Sequence, residues 1–352
     1  MLMAGTMALS MTACGGGGAS DGAAKIGVSM PTQSLQRWNQ DGSNMKEQLE
    51  AAGYEVDLQY AGDNDIPTQV SQIENMIAGG CDALVIAAID GSALTEALKG
   101  ASENNIPVIS YDRLIMNSDA VSYYATFDNY KVGQMQGEYI RDALDLDNAA
   151  GPFNIELTTG ALDDNNVNFF FGGAMDVLQP YIDSGKLVVL SGQTEKAQCA
   201  TANWSTEEAQ KRFENIITSV GYGPDGVKLD AVLCSNDSTS YGVQNALQAA
   251  GYTAENMPII TGQDCDKPNV KNLVSGLQSM SVFKDTRTLA DATVKMVDAI
   301  VKGTEPEIND TETYDNGTGI IPSYLCDPVV VTKDNYEEIL IDSGYYTAED
   351  VA

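Results

Sequence analysis

From Lys25 onward, short apolar runs alternate with longer amphipathic stretches, and this alternation restricts the chain to βαβ units built on parallel sheets. In the first half the strand candidates are Ile26 to Met30, Glu55 to Tyr60, Ala83 to Ala88 and Pro107 to Tyr111. Helical patterns lie between them: Trp38, Met45 and Leu49 mark one apolar stripe, and Val70, Ile73, Met76 and Ile77 mark another. Gly53 and Gly79 stand where helix C-caps belong. The second half repeats the scheme, with strands expected at Phe153 to Leu157, Leu187 to Leu190, Ala231 to Cys234 and Pro258 to Thr261. A local echo, QLEAAGYEVD at 48–57 and ALQAAGYTAE at 246–255, fits a duplicated plan. Helix C-caps converge on such sequences, so the echo supports the fold without carrying it.

A chain of 352 residues is long enough for two domains, each with its own core. Near the middle, Val121 to Phe127 reads as a strand, followed by a helix from about Tyr130 to Leu146, and here the chain is placed to pass from one domain to the other. With Val282 to Lys284 and Ser323 to Pro328 as the further crossings, three segments join two discontinuous domains, and motion concentrates in a few hinge residues. The expected division is a leader and tether at 1–23, one lobe at 24–126 plus 284–325, and a second at 127–283 plus 326–352.

Composition narrows the chemistry. There is no histidine, which removes the commonest general base, the commonest metal ligand and the usual partner of a catalytic serine. Lys and Arg number 19 against 50 Asp and Glu, a formal charge of -31 that repels phosphate backbones, so nucleic acid is not an expected partner. Cysteines at 14, 81, 199, 234, 265 and 326 form no CxxC pair and no zinc spacing, and no metal or cofactor is expected. Cys234 and Cys265 follow neighbouring strand-like runs, and the sequence leaves open whether they are joined. Before Cys14 the stretch MLMAGTMALSMTAC is apolar and ends in small residues, like a bacterial lipobox, although no Lys or Arg precedes Lys25. Cys14 is therefore a candidate for lipidation, and the following GGGGASDGAA is a flexible tether reaching roughly 20 Å.

Candidate site residues cluster where strands end. Arg37 and Trp38 follow the first strand; Asp112 and Arg113 follow the fourth. In the second half Asp164 and Asn166 follow one strand, Asn236 and Asp237 another, and Asp264 a third, with Trp204 in a nearby loop. Open α/β sheets bind ligands at this edge. A lone Asp or Asn after a strand is often only a helix N-cap, but recurrence at five edges favours a lined cleft. Planar polar groups with aromatic rings suit the hydroxyls and C–H faces of a sugar.

The stretches SQIENMI (71–77), SYDRLI (110–115), SYYATFDN (122–129), DDNN (163–166), SND (235–237), GQD (262–264) and VFKDTR (282–287) together resemble the multiple-monosaccharide-binding proteins of bacterial ABC importers, near the xylose-binding ones. The resemblance covers about Lys25 to Tyr346. It implies the type I periplasmic-binding-protein fold, two Rossmann-like, doubly wound α/β domains joined by a three-segment hinge. It implies sugar contacts from Arg37, Asp112 and Arg113 in one domain, from Asp164, Asn166, Asn236 and Asp264 in the other, and from Lys284 in the hinge-like VFKD, with Trp204 stacking on the ring. Trp38 is assigned to ligand or core with less distinction. The loop TEKAQCATAN before Trp204 and Cys265 beside Asp264 depart from the family pattern, and leave the preferred sugar open among xylose, glucose, galactose and arabinose types. The implied role is a monomeric, exported lipoprotein on the outer face of the cytoplasmic membrane, or a periplasmic protein, that hands its sugar to a membrane permease.

Rival readings fare worse. A retaining glycosidase needs two carboxylates of unlike acidity, whereas Arg, Asn and Lys among these aspartates are expected to keep them ionised. A sugar-responsive repressor needs a helix-turn-helix that residues 1–24, without a positive charge, do not supply. A chemosensory partner is compatible with transport and is not separated from it. GDNDIP at 62–67 lacks the Gly and bidentate Glu of a calcium loop and reads as a turn and helix start. No GxxxxGK phosphate loop is present.

Overall fold

The computed structural model describes residues 23–351, so Cys14 and its leader lie outside the described residues. The first part of the chain runs β1 (Lys25–Met30), α1 (Gln36–Ala51), β2 (Glu55–Tyr60), α2 (Ile66–Ala78), β3 (Ala83–Ile86), α3 (Thr95–Glu103), β4 (Val108–Tyr111) and β5 (Val121–Phe127). It continues with α4 (Asn129–Ala143), β6 (Phe153–Thr158), α5 (Asn166–Asp183), β7 (Leu187–Val188), α6 (Lys196–Cys199), α7 (Thr206–Val220), β8 (Ala231–Cys234), α8 (Asp237–Ala249), β9 (Ile259–Ile260), α9 (Lys267–Ser275) and β10 (Ser281–Phe283). Then come α10 (Thr286–Val301), β11 (Ser323–Cys326) and β12 (Val329–Val331).

Two parallel sheets result, of order β11-β5-β4-β3-β1-β2 and β7-β6-β8-β9, with β10 and β12 as a separate antiparallel pair. Ile26, Val28, Ile109 and Tyr111 of the first sheet pack with Trp38, Met45 and Leu49 of α1 and Leu289 and Val297 of α10. On the opposite face Leu84 and Ile86 meet Ile73 and Met76 of α2 and Leu98 of α3. The predicted stripes are therefore the buried ones. In the second sheet Ile155 and Leu157 pack under α5 through Ala174 and Leu178, and Val232 packs with Phe213 of α7 and Val243 of α8.

The chain leaves the first sheet after β5, returns after β10 at Lys284, and crosses once more after β11. Gly79 is the C-cap of α2, as the sequence places it, and the left-handed turn falls on the next residue, Gly80, at φ +73°. Other element ends differ from the sequence reading. α4 stops at Ala143; Leu144 follows as its C-cap, and Leu146 is buried beyond the helix end. β7 and β9 keep only two paired residues each. The five described cysteines are all buried and free, including Cys234 and Cys265. No described helix is long and apolar enough to cross a membrane.

Candidate functional site

The carboxyl ends of the strands face one another across a narrow cavity, the kind of concave, interdomain position that small-molecule sites favour. All ten sequence-predicted residues line it: Arg37, Trp38, Asp112, Arg113, Asp164, Asn166, Trp204, Asn236, Asp264 and Lys284. Leu35, Phe170, Ser238, Gln263 and Asp266 complete the wall.

Arg37, on the first turn of α1, is the main cation. Its guanidinium reaches Asp41 Oδ2 at 2.9 Å, Asp112 Oδ2 at 2.5 Å and, from the other lobe, Asp264 Oδ1 at 3.5 Å. Burial works against its charge, but Asp112, Asp41 and Asp264 outweigh burial and hold it well above the usual arginine value. Lys284, at the return crossing, lies 3.1 Å from Asp264 and 3.8 Å from Asp112. At Asp112 burial pushes the pKa up, yet Arg37, Lys284 and Arg113 win and leave it below the ordinary carboxylate range. Arg113 pairs across the cleft with Asp164, Nε to Oδ2 at 3.1 Å, and donates to the carbonyls of Ala88 and Ile89. Asp164 differs from the expectation of a fully ionised set, because burial exceeds the pull of Arg113 and raises its pKa.

The aromatic groups are held as firmly. Trp38 is 3% exposed, and the guanidinium carbons of Arg37 and Arg113 sit 5.1 and 5.0 Å from its ring centroid, so it serves core and cavity together. Trp204 donates Nε1–H to Asp164 Oδ2 at 3.2 Å and meets Phe170 edge to face at 6.1 Å. Its ring lies directly against Gly160, where any Cβ would collide with it. Asp112, Asn203, Trp204, Asp264 and Cys265 all adopt positive φ, from 54° to 95°, the backbone strain that functional sites concentrate.

Two predicted residues have a second occupation. Asn236 caps α8, accepting from the Thr239 amide at 3.0 Å while donating to Ser238 Oγ at 2.7 Å. Asn166 spends its amide on the other lobe, donating to the Asp112 carbonyl at 2.7 Å and accepting from Tyr124 O–H at 3.0 Å. The sequence reading passed over Gln263, although it quoted the GQD that contains it, and passed over Asp266, which looks like an ordinary helix cap before Lys267-Pro268. Phe170 sits in a run of three phenylalanines, from which spacing alone does not select one.

A cavity walled by opposed, charge-paired strand ends from two α/β lobes defines a protein that encloses a small ligand. The chain belongs to the periplasmic binding protein family: the periplasmic binding protein domain profile matches residues 26–305. The multiple sugar-binding periplasmic receptor ChvE of Rhizobium radiobacter is 51% identical over 326 residues, 92% of this chain and 91% of the relative. The D-xylose-binding periplasmic protein of Escherichia coli is 35% identical over 322 residues, 92% of this chain and 91% of that protein. Among solved structures, an ABC transporter solute-binding protein from Clostridium phytofermentans with bound β-D-glucose superposes with a TM-score of 0.90 and 63% identity, covering 93% of this chain and all of the other. These are binding proteins, not enzymes, and the chain is one of them.

Proposed function

We propose that this protein is the solute-binding component of a sugar ABC importer, and that it closes two lobes around one aldopyranose of the xylose, glucose, galactose or arabinose type. The observation that carries this reading is the cavity itself, to which each lobe contributes charged pairs and an aromatic wall. Arg37, Asp112, Arg113, Asp164, Asn166, Asn236, Asp264 and Lys284 are assigned to the sugar hydroxyls, and Trp38 and Trp204 to its C–H faces. Pairing each cation with a carboxylate strengthens the donors and acceptors that the site offers to sugar hydroxyls. Neither lobe alone completes the site, so the sugar binds the closed arrangement better and shifts the hinge equilibrium toward it.

The lobes in this reading are 24–126 plus 284–325 and 127–283 plus 326–352, moving about the three crossings. Export through the N-terminal apolar segment, lipidation at Cys14 and delivery by a monomer to a membrane permease complete the proposal; sequence resemblance supports the last step and the lipobox-like stretch supports the first two. The test is calorimetry and thermal shift against aldopentoses and aldohexoses. A binding sugar raises the melting temperature with the logarithm of its concentration. If no sugar in the panel binds with one-to-one stoichiometry, the assignment is wrong.

A further inference from the structure

One carboxylate of the cavity wall is unlike the others. Asp112 pairs with Arg37 and Lys284, Asp164 with Arg113, and Asp264 with Lys284 and Arg37. Asp266, on the same wall, makes no ion pair among the described residues, Arg37 and Lys284 acting on it without pairing. It occupies the N-cap position of α9 but makes no capping bond, and its Oδ1 is buried without a hydrogen-bond partner. On the same loop, Gln263 is 2% exposed, and its Oε1 is likewise buried and unpartnered. Four carboxylates thus face three cations across the cavity, and the unbalanced one stands with a second idle acceptor.

Resting on the sugar reading above, we infer that the site also takes an amino-deoxy aldose in its cationic form, with the ammonium held by Asp266 and Gln263. An ammonium carries donors and no acceptor, which matches two acceptors that have no donor. A hydroxyl at the same place supplies one proton and leaves the carboxylate charge unbalanced. The groups around Asp266 do not supply the missing cation. Asp264 lies on the same loop, Asp237 of α8 accepts the Asp266 amide proton at 2.9 Å, and the Tyr346 hydroxyl comes from the C-terminal segment. Arg37 and Lys284 act on Asp266 from a distance and are engaged with Asp112 and Asp264. The neighbouring Lys267 turns away to Asp350 at 2.6 Å. Burial, reinforced by the Asp264 charge, pushes the Asp266 carboxyl up to about 7, the response of an acid that lacks a counterion.

The full-length protein is titrated at pH 6.5 in a calorimeter with D-glucose and with its 2-amino-2-deoxy, 3-amino-3-deoxy and 6-amino-6-deoxy analogues. The expected result is that at least one analogue binds as tightly as D-glucose or tighter, and that Asp266→Asn lowers its affinity relative to D-glucose at least fivefold. D-Glucose binding with every analogue weaker than it overturns the inference and leaves the sugar reading standing, as does a relative affinity changed less than fivefold by the substitution. Failure of D-glucose and all three analogues to bind overturns both.

Discussion

Gly160 never touches the cavity, yet it sets the position of the ring that does. The Trp204 indole packs on its Cα, and Gly160→Ala would force the ring away by on the order of 1 Å in an interior too dense to absorb the shift. The Trp204–Asp164 hydrogen bond, already 3.2 Å, would break, and the edge-to-face contact with Phe170 would open. If the ring covers roughly 80 Å² of sugar C–H surface, losing that contact costs about 2 kcal/mol. The lost orientation of Asp164 adds up to about 1 kcal/mol. The sum corresponds to a roughly 30- to 150-fold rise in Kd. Calorimetry with D-glucose, or with the best sugar of the panel, measures it. Trp204→Ala should weaken binding to a similar extent, and the double variant should lose little more than either, because both changes remove one contact. A Gly160→Ala protein that binds within threefold of wild type would refute this account of the ring.

Other expectations follow from the same network. Arg37→Ala leaves Asp41 without its ion pair and Asp112 and Asp264 with Lys284 alone, and should destabilise the fold by about 3–5 kcal/mol in urea denaturation; a loss under 1 kcal/mol would contradict the burial of that cluster. Asn166→Ala removes two cross-lobe hydrogen bonds and should weaken sugar binding by about 1–2 kcal/mol, with faster dissociation in stopped flow. Unchanged dissociation would show that Asn166 plays no part in holding the lobes together. Asp266 supplies a pH signature. Folded, it keeps its proton up to about 7, whereas an unfolded chain releases it near 4, so raising the pH between those values withdraws stability. Asp266→Asn escapes that loss, and its melting temperature relative to wild type should rise by about 2 °C or more between pH 5 and pH 8 in the absence of ligand. An equal difference at both pH values would remove the case for an unbalanced charge.

Most of the strands and the site's principal residues were readable because both follow local rules. Apolar runs such as Ala83–Ile86 can only be buried strands, and polar residues at their carboxyl ends fall on the open edge of the sheet. What escaped was decided by distance through space. Nothing in the residues around Gly160 announces an indole arriving from position 204. Asp266 before a Lys-Pro helix start has every local mark of a cap, and only the fold, which turns its carboxyl from the helix to the cavity wall, makes it something else. Asn236 shows the converse: the cap expected of an isolated asparagine is present, and the cavity is lined as well. Mutual pairing also had no sequence trace, so the contrast between the depressed Asp112 and the raised Asp164 emerged only from their different shares of cation and burial.

The bonds that Arg37, Arg113 and Asn166 throw across the interface join protein to protein, so they would draw the lobes shut even around nothing. A receptor that shuts idly would occupy its membrane partner without cargo. The two acceptors on the 263–266 loop oppose that outcome, since sealing them away from water with no donor costs on the order of 1–3 kcal/mol each. Their idleness would thus act as a proofreading spring, relaxed when a guest supplies the hydrogen-bond partners they lack.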